Sequence, residues 1–299
     1  MAALFRATCE GIDLTTIWSG LAMGSIYAAI ALGYNIVFLA SGKFNFAQAQ
    51  FVMLGTFGSY VGIVELGLPW WVVIAAVTII GAALGLFEEL IAVRPVHHLA
   101  PSTQLLATIA FGVIFTGLAA VIWGTEPLRV DFGDGESITL LGGLVQPIEL
   151  IIIVVCVSLT LLIWFLSVKT MWGLAALASA EDRDAASLRG INVTRLSAGA
   201  FALAAAIGMI VGAIMAPKTF ALFSIGNILA IKGFIAMAIG SFGSIKGGLI
   251  GGLAVGLVEA VALRYGGGVS ADLVLFFGLM VLLLALPGGI FGSQRARAV

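Results

Sequence analysis

The chain has 299 residues, of which 61% are hydrophobic and 10% charged, against roughly 45–50% apolar and 25% charged in soluble domains. Its mean hydropathy is +1.18, and 14 Lys and Arg against 15 Asp and Glu leave a net charge of −1. These figures exclude an ordinary soluble enzyme, whose surface water must wet, and a nucleic-acid partner, which needs a basic excess to release counterions.

A bilayer core about 30 Å thick is crossed by about 20 apolar residues in a helix. Lipid offers backbone groups no outside partner, so such runs are helical. Residues 1–13 set Arg6 against Glu10 and Asp13. They lack the positive leader of a cleaved signal, and the first apolar run, 14–40, is expected to be retained. A polar interruption follows, Ser41-Gly42-Lys43-Phe44-Asn45-Phe46-Ala47-Gln48-Ala49-Gln50, with an ammonium and three amides among apolar neighbours. An unpaired amide in hydrocarbon costs several kcal/mol. If 44–64 is helical, Asn45, Gln48 and Ala49 share a face and Gln50 points elsewhere. That face either lines a wet path or makes inter-helix hydrogen bonds at a turn. Phe44, Phe46 and Phe51 either line the same path or face lipid.

The next span is 69–87, with Glu88 and Glu89 expected to be solvated at its end. His97 and His98 are neighbours that would diverge on a helix, and they read as loop residues rather than zinc ligands. A span at 103–123 leads into a polar loop, 126–149, with five acids and Arg129. The run 150–168 carries no charge and holds Cys156. With Cys9 it makes the only two cysteines, too few for a disulfide framework or a thiolate metal site.

The loop 169–195 is the most informative segment. Its alanines favour helix. Ser179 with Asp182 three residues on resembles a capping box, acids fill the first turn, and Gly190 can take the left-handed position at the end. A helix roughly 15 Å long results, with a small flat face at Ala185 and Ala186 and a charged surround. It suits docking into another protein's groove, and a solvated connector is the alternative reading.

A span at 197–216 precedes 220–244, which Ser224-Ile225-Gly226-Asn227 and Lys232 divide into pieces too short to cross alone. Paired interruptions in two halves point to a site near the membrane midplane. Lys232 is the principal intramembrane charge, serving a pathway or a partner, or else snorkelling to an interface. Glycine, 39 residues in all, gathers at 240–256, for close helix packing or for a helix break along a pathway. Spans at 247–263, with Glu259 expected to be solvated near its end, and 271–290 bring the count to about nine.

The reading is therefore all-α: one polytopic transmembrane unit over residues 1–299, with some segments broken. Placing 169–195 inside puts nine Lys and Arg on the inner side and four outside, Lys232 unassigned. By the positive-inside rule the N-terminus then faces out, the C-terminus in, and 126–149 is external.

Asp184-Ala185-Ala186-Ser187-Leu188-Arg189-Gly190-Ile191 resembles the E-A-A-x-x-x-G loop of ABC importer permeases, with Asp in place of Glu. The longer stretch AEDRDAASLRGINVTR (180–195) is more similar to the loop of branched-chain amino acid importer permeases. GLAMGSIYAAIALGY (20–34), GKFNFAQAQ (42–50), Val93-Arg94-Pro95-Val96 and IKGFIAMAIGSFGSIKGGLIGG (231–252) agree in order and spacing. In that family Asn45-Phe46-Ala47 is usually followed by His-Gly, whereas this chain has Gln48-Ala49, a neutral amide in place of a titratable ring.

The resemblance implies an inner-membrane permease that pairs with a second permease in a heterodimer. It also implies two cytoplasmic ATPases, which bind ATP-Mg, and an extracytoplasmic substrate-binding protein. The helix of Glu181, Asp182, Asp184, Ala185, Ala186, Leu188 and Gly190 would couple the chain to the ATPases. Relatives of this kind import leucine-like amino acids, urea and short amides, or aromatic acids. Independently, the only Gly-Lys pair, Gly42-Lys43, is followed by Phe44, so the chain has no GxxxxGK[ST] phosphate cradle and no cofactor of its own is expected. Asn45, Gln48, Asn227 and Lys232 are the candidate translocation residues. A competing reading is an ion-driven carrier with Lys232, Glu259 or Asn45 at the ion.

Overall fold

The first apolar run becomes α1, Leu14–Ser41, a helix of 28 residues and about 42 Å by its rise. It stops where Gly42 turns left-handed, φ 67°, and donates its N–H to the Phe38 carbonyl, a conformation that costs glycine nothing. The computed structural model describes residues 13–96, 98–131, 136–140, 142–286 and 288–291. Cys9, His97 and the arginines 6, 295 and 297 lie outside the described residues.

After α1 come α2, Gln48–Ser59, which widens into a π-helical turn at Tyr60–Glu65, and α3, Trp70–Glu88, which does the same at Glu89–Val93. Then follow α4, Pro101–Trp123, the strands β1, Ile138–Leu140, and β2, Gly143–Val145, and α5, Pro147–Lys169. Two short helices, α6, Met171–Glu181, and α7, Arg183–Leu188, lead to α8, Val193–Thr219. The chain closes with α9, Ile225–Gly240, α10, Ile245–Gly266, and α11, Gly268–Ala285.

Among the described residues, six helices are long and apolar enough to cross a membrane: α1, the α3 segment Trp70–Val93, α4, α5, α8 and α10. The remaining expected spans are helical but shorter. α9 and Ala271–Ala285 of α11 are apolar with fewer than 18 residues, and α2 reaches such a length only together with its π turn. Burial sorts the six. The apolar stretch of α1 is 83% buried and that of α8 67%, against 22% for α3 and α5. The core is therefore built on α1 and α8. The outer helices turn Ile79, Val113, Val121, Leu161 and Phe165 outward, which only lipid solvates without cost.

Glycine decides how close the helices come. On α1 and α10, a Cβ at Gly256 would lie 2.3 Å from the Gly24 Cα, and one at Gly252 2.5 Å from the Ala28 Cα. Backbone meets backbone here, as small residues permit in membranes. The glycine-rich stretch thus serves packing, and it also contains a break. Between α9 and α10 the chain turns through Ser241, φ 92°, and Gly243, φ 78°. Fully buried Asn35 clamps that turn, its Oδ1 accepting from the Gly243 N–H at 2.8 Å and its Nδ2 donating to the Ser244 carbonyl at 3.3 Å.

The described part of the acidic loop contains two short strands. β1 and β2 pair antiparallel, Ile138 opposite Val145, and the Leu144 N–H donates to Thr15 Oγ1 on α1 at 3.0 Å. Glu149, assigned to the loop from sequence, belongs to the first turn of α5. It forms a capping box with Gln146 and an ion pair with Lys218, because a carboxylate is stabilised beside the free N–H groups of a helix start.

Candidate functional site

Two helices begin inside the bundle and meet at their first turns. The helix expected from residue 44 starts at Gln48, because Asn45 folds back on the chain: its Oδ1 accepts from the Ala47 N–H at 2.9 Å, an Asx turn that competes with helix. Asn45 is therefore in the turn before α2, and it shares no helical face with Gln48. Both are buried. Asn45 Nδ2 donates to Glu88 Oε2 at 2.8 Å, and Gln48 Nε2 donates to the Ala204 carbonyl at 2.9 Å.

Gln50, which the helical wheel had turned away, makes the connection. Its Nε2 donates to Asn227 Oδ1, in the first turn of α9, at 2.9 Å. Gly226 is what admits it, since a Cβ there would stand 1.7 Å from Gln50 Oε1. Gly226→Ala is accordingly expected to push Gln50 off Asn227 and cost about 1–3 kcal/mol. Thermal unfolding of G226A, Q50L and the double variant checks this: the double should cost little more than Q50L alone, and full additivity would count against it.

Aromatic rings close over the turn. Phe44 stacks on Phe38 at 4.9 Å and meets Phe242 edge-on at 5.6 Å, while Phe46 lies 5.6 Å from Phe234. Phe51 is fully buried against Phe115. These phenylalanines pack on protein, and Phe242 is left at the exposed edge.

Three carboxylates read as solvated helix ends are in fact inside. Glu88 is fully buried, and its Oε1 has no hydrogen-bond partner among the described residues. Glu89 is buried against Arg94 at 3.0 Å. The apolar run seemed to end at Phe87, but the π-helical turn carries α3 on to Val93 and keeps both acids in the bundle. Glu259 is buried on α10, where it accepts from Tyr27 Oη at 2.6 Å and from Lys232 Nζ at 2.5 Å. Lys232 also lies 3.5 Å from Asp272. The intramembrane ammonium thus has partners in the protein. A carboxylate inside a long apolar run was the available signal for all three.

At the end of the bundle where α1 stops, α6 and α7 form an outer layer. Ser179, expected to start a helix, lies buried within α6. Asp182 starts the next one, its Oδ1 accepting from the N–H groups of Asp184 and Ala185, both at 3.0 Å. Glu181 closes α6, and Gly190, φ 86°, takes the left-handed position expected of it. Ala185 and Ala186 do not form one outward face: Ala186 is buried, while Ala185, Asp184 and Leu188 are exposed, Leu188 to 88%. Arg183 ties this layer to the core, Nη1 donating to the Ser41 carbonyl at 2.7 Å. Nearby, burial first and the Arg183 charge second hold the Lys43 ammonium below its ordinary pKa, with Glu89 opposing. The tie therefore sits where the chain turns from α1 into the buried polar seam.

Apolar helices around a buried polar seam, with a charged helical layer strapped to one end, are the architecture of a polytopic membrane protein. The family model described as "Branched-chain amino acid transport system / permease component" matches residues 16–286, and the chain belongs to that family. It is 30% identical to the high-affinity branched-chain amino acid transport system permease protein LivH of Escherichia coli (strain K12), over 96% of this chain and 97% of that one. It is 28% identical to the permease protein BraD of the corresponding system of Pseudomonas aeruginosa, over 96% and 98%. Among solved structures, PsaBC from Streptococcus pneumoniae in complex with Fab aligns over 95% of each chain with 13% identity and a TM-score of 0.48.

Proposed function

We propose that this permease is one half of the membrane channel of an ABC importer, taking up branched-chain or similar hydrophobic amino acids across a bacterial cytoplasmic membrane. Its partners are a second, different permease, two cytoplasmic ATPases that bind ATP-Mg, and an extracytoplasmic substrate-binding protein. The α6–α7 layer faces the cytoplasm, the N-terminus faces out and the C-terminus in. The substrates named for LivH and BraD support the choice of cargo.

The observation that carries the mechanism is the Arg183–Ser41 hydrogen bond. Leu188, Asp184 and Ala185 present the docking surface to an ATPase, Asp182 and Gly190 fix the ends of that helix, and Glu181 borders it. Ala186 anchors it from within. A push on α7 passes through Arg183 to the end of α1, from there to the turn Lys43–Ala47 that holds Asn45, and on to Gln48 and Asn227. Lys232, held by Glu259 and Asp272, keeps α9 in place while the seam opens. This is a rigid-body mechanism of coupling.

Reconstitution with the cognate ATPases and binding protein tests it. Leucine uptake should require ATP, Leu188→Glu should abolish both uptake and substrate-stimulated ATP hydrolysis, and Arg183→Gln should lower uptake at least tenfold while ATP hydrolysis persists. Uphill uptake by the chain alone, driven by an ion gradient, would replace this reading with that of a secondary carrier. Uptake of urea, short amides or aromatic acids in place of leucine would keep the mechanism and change the cargo.

A further inference from the structure

A second apolar feature lies away from the seam. Near the α7 end of the bundle, a cleft of about 180 Å³ is lined by Ile36 and Leu39 of α1, Ile163 and Leu166 of α5, Trp172 of α6 and Leu203 of α8. Almost all of its lining surface is hydrocarbon. It lies beside the last turns of α5, where Phe165, Leu166 and Val168 are exposed and lipid is the surrounding solvent.

Two lysines adjoin lining residues of the cleft in sequence. Ile245, which also lines it, is followed by Lys246, whose Nζ stands 4.0 Å from the centre of the Trp164 ring. Lys169 ends α5, next to the lining residue Thr170. Both lysines are exposed, and neither is in an ion pair with a carboxylate among the described residues. The ring orients the Lys246 ammonium without neutralising it. A hydrocarbon slot beside two uncompensated ammonium groups, at the end of a membrane span, matches a molecule with an acyl chain and a phosphate.

We propose that this cleft is a binding site for an anionic phospholipid of the leaflet on the α7 side, with one acyl chain between α1 and α5 and the phosphate at Lys246 and Lys169. The proposal does not depend on the cargo or on the direction of transport. Bound there, the lipid would brace α6 against the span that carries it.

Tryptophan quenching in vesicles tests it. The full chain is reconstituted in mixtures containing phosphatidylglycerol or phosphatidylcholine brominated on the acyl chains, and Trp172→Phe identifies the signal that comes from the cleft. Brominated phosphatidylglycerol should compete for the site about fivefold better than phosphatidylcholine, the preference one lysine gives at an anionic surface. Lys246→Glu should erase that preference. Ser167→Phe, which fills the cleft, should remove Trp172 quenching by both lipids. Lys246→Gln, milder should the reversal impair folding, should reduce the preference. Equal quenching by the two lipids, or a phosphatidylglycerol preference that survives in K246E, overturns the proposal. So does an unchanged quenching pattern in S167F accompanied by loss of the ATPases from the purified complex, which would make the cleft a protein-docking site.

Discussion

Glu259→Ala should be the most destabilising single carboxylate change in this protein, lowering stability by about 3–5 kcal/mol as measured by thermal unfolding in detergent. The reason is the burial of its partner. Lys232 is mostly enclosed, with Glu259 Oε1 at 2.5 Å and only the more exposed Asp272 as a second counter-ion at 3.5 Å. Removing one member of a buried pair leaves the other charge without compensation, and that loss is about 3–5 kcal/mol in proteins. The cost is sharpened inside a membrane, where a lone ammonium finds no water. Replacing both members with Met and Leu should recover most of the stability, since an apolar pair of similar volume is often equivalent. A residue of about 1 kcal/mol should remain, because Tyr27 Oη loses its acceptor. A single variant as stable as the parent, or a double variant no better than E259A, would show that the pair does not hold α9 to α10.

Gly256→Val should prevent assembly of the bundle. Its Cβ would enter the space of the Gly24 Cα at 2.3 Å and approach the Gly20 carbonyl oxygen at 2.4 Å. Both obstacles are backbone, so no rotamer change relieves the clash, and α10 must leave α1. Overpacking in cores costs about 1–3 kcal/mol where side chains can yield, so the cost here lies beyond that range. The control is Gly278→Ala on α11, where a Cβ meets nothing within 4 Å. It should be neutral or stabilising by up to about 1 kcal/mol from helix propensity alone. Comparing the monodisperse yield of the two variants decides the matter. Equal yields would mean that the α1–α10 seam is looser than its geometry indicates.

Most of the helices are legible in the amino-acid sequence, for a reason that belongs to the solvent. A run such as 150–168 without a charge has one stable form in lipid, and α5 covers it from Pro147 to Lys169. The failures are local in sequence and non-local in cause. Helix periodicity from residue 44 places Asn45 on a face, yet its own side chain caps the turn and delays α2 to Gln48. The charge at Glu88 looks like the end of a span, and a π-helical turn carries it inside instead. Ala185 and Ala186 look like one docking face, and Asp182 rather than Ser179 sets the start of the helix and so turns Ala186 inward.

By itself the sequence determined that this chain lives in a membrane and where its long apolar helices run. Both follow from free energies that add up along the chain: transfer of side chains into lipid and backbone satisfaction within a helix. Only the tertiary structure decided that Lys232 answers to Glu259, that Gln50 reaches Asn227, and that Arg183 straps the outer layer to Ser41. Those pairs stand 27, 177 and 142 residues apart. Which buried polar group meets which depends on how glycines let the helices approach, a property of packed surfaces that no linear pattern encodes.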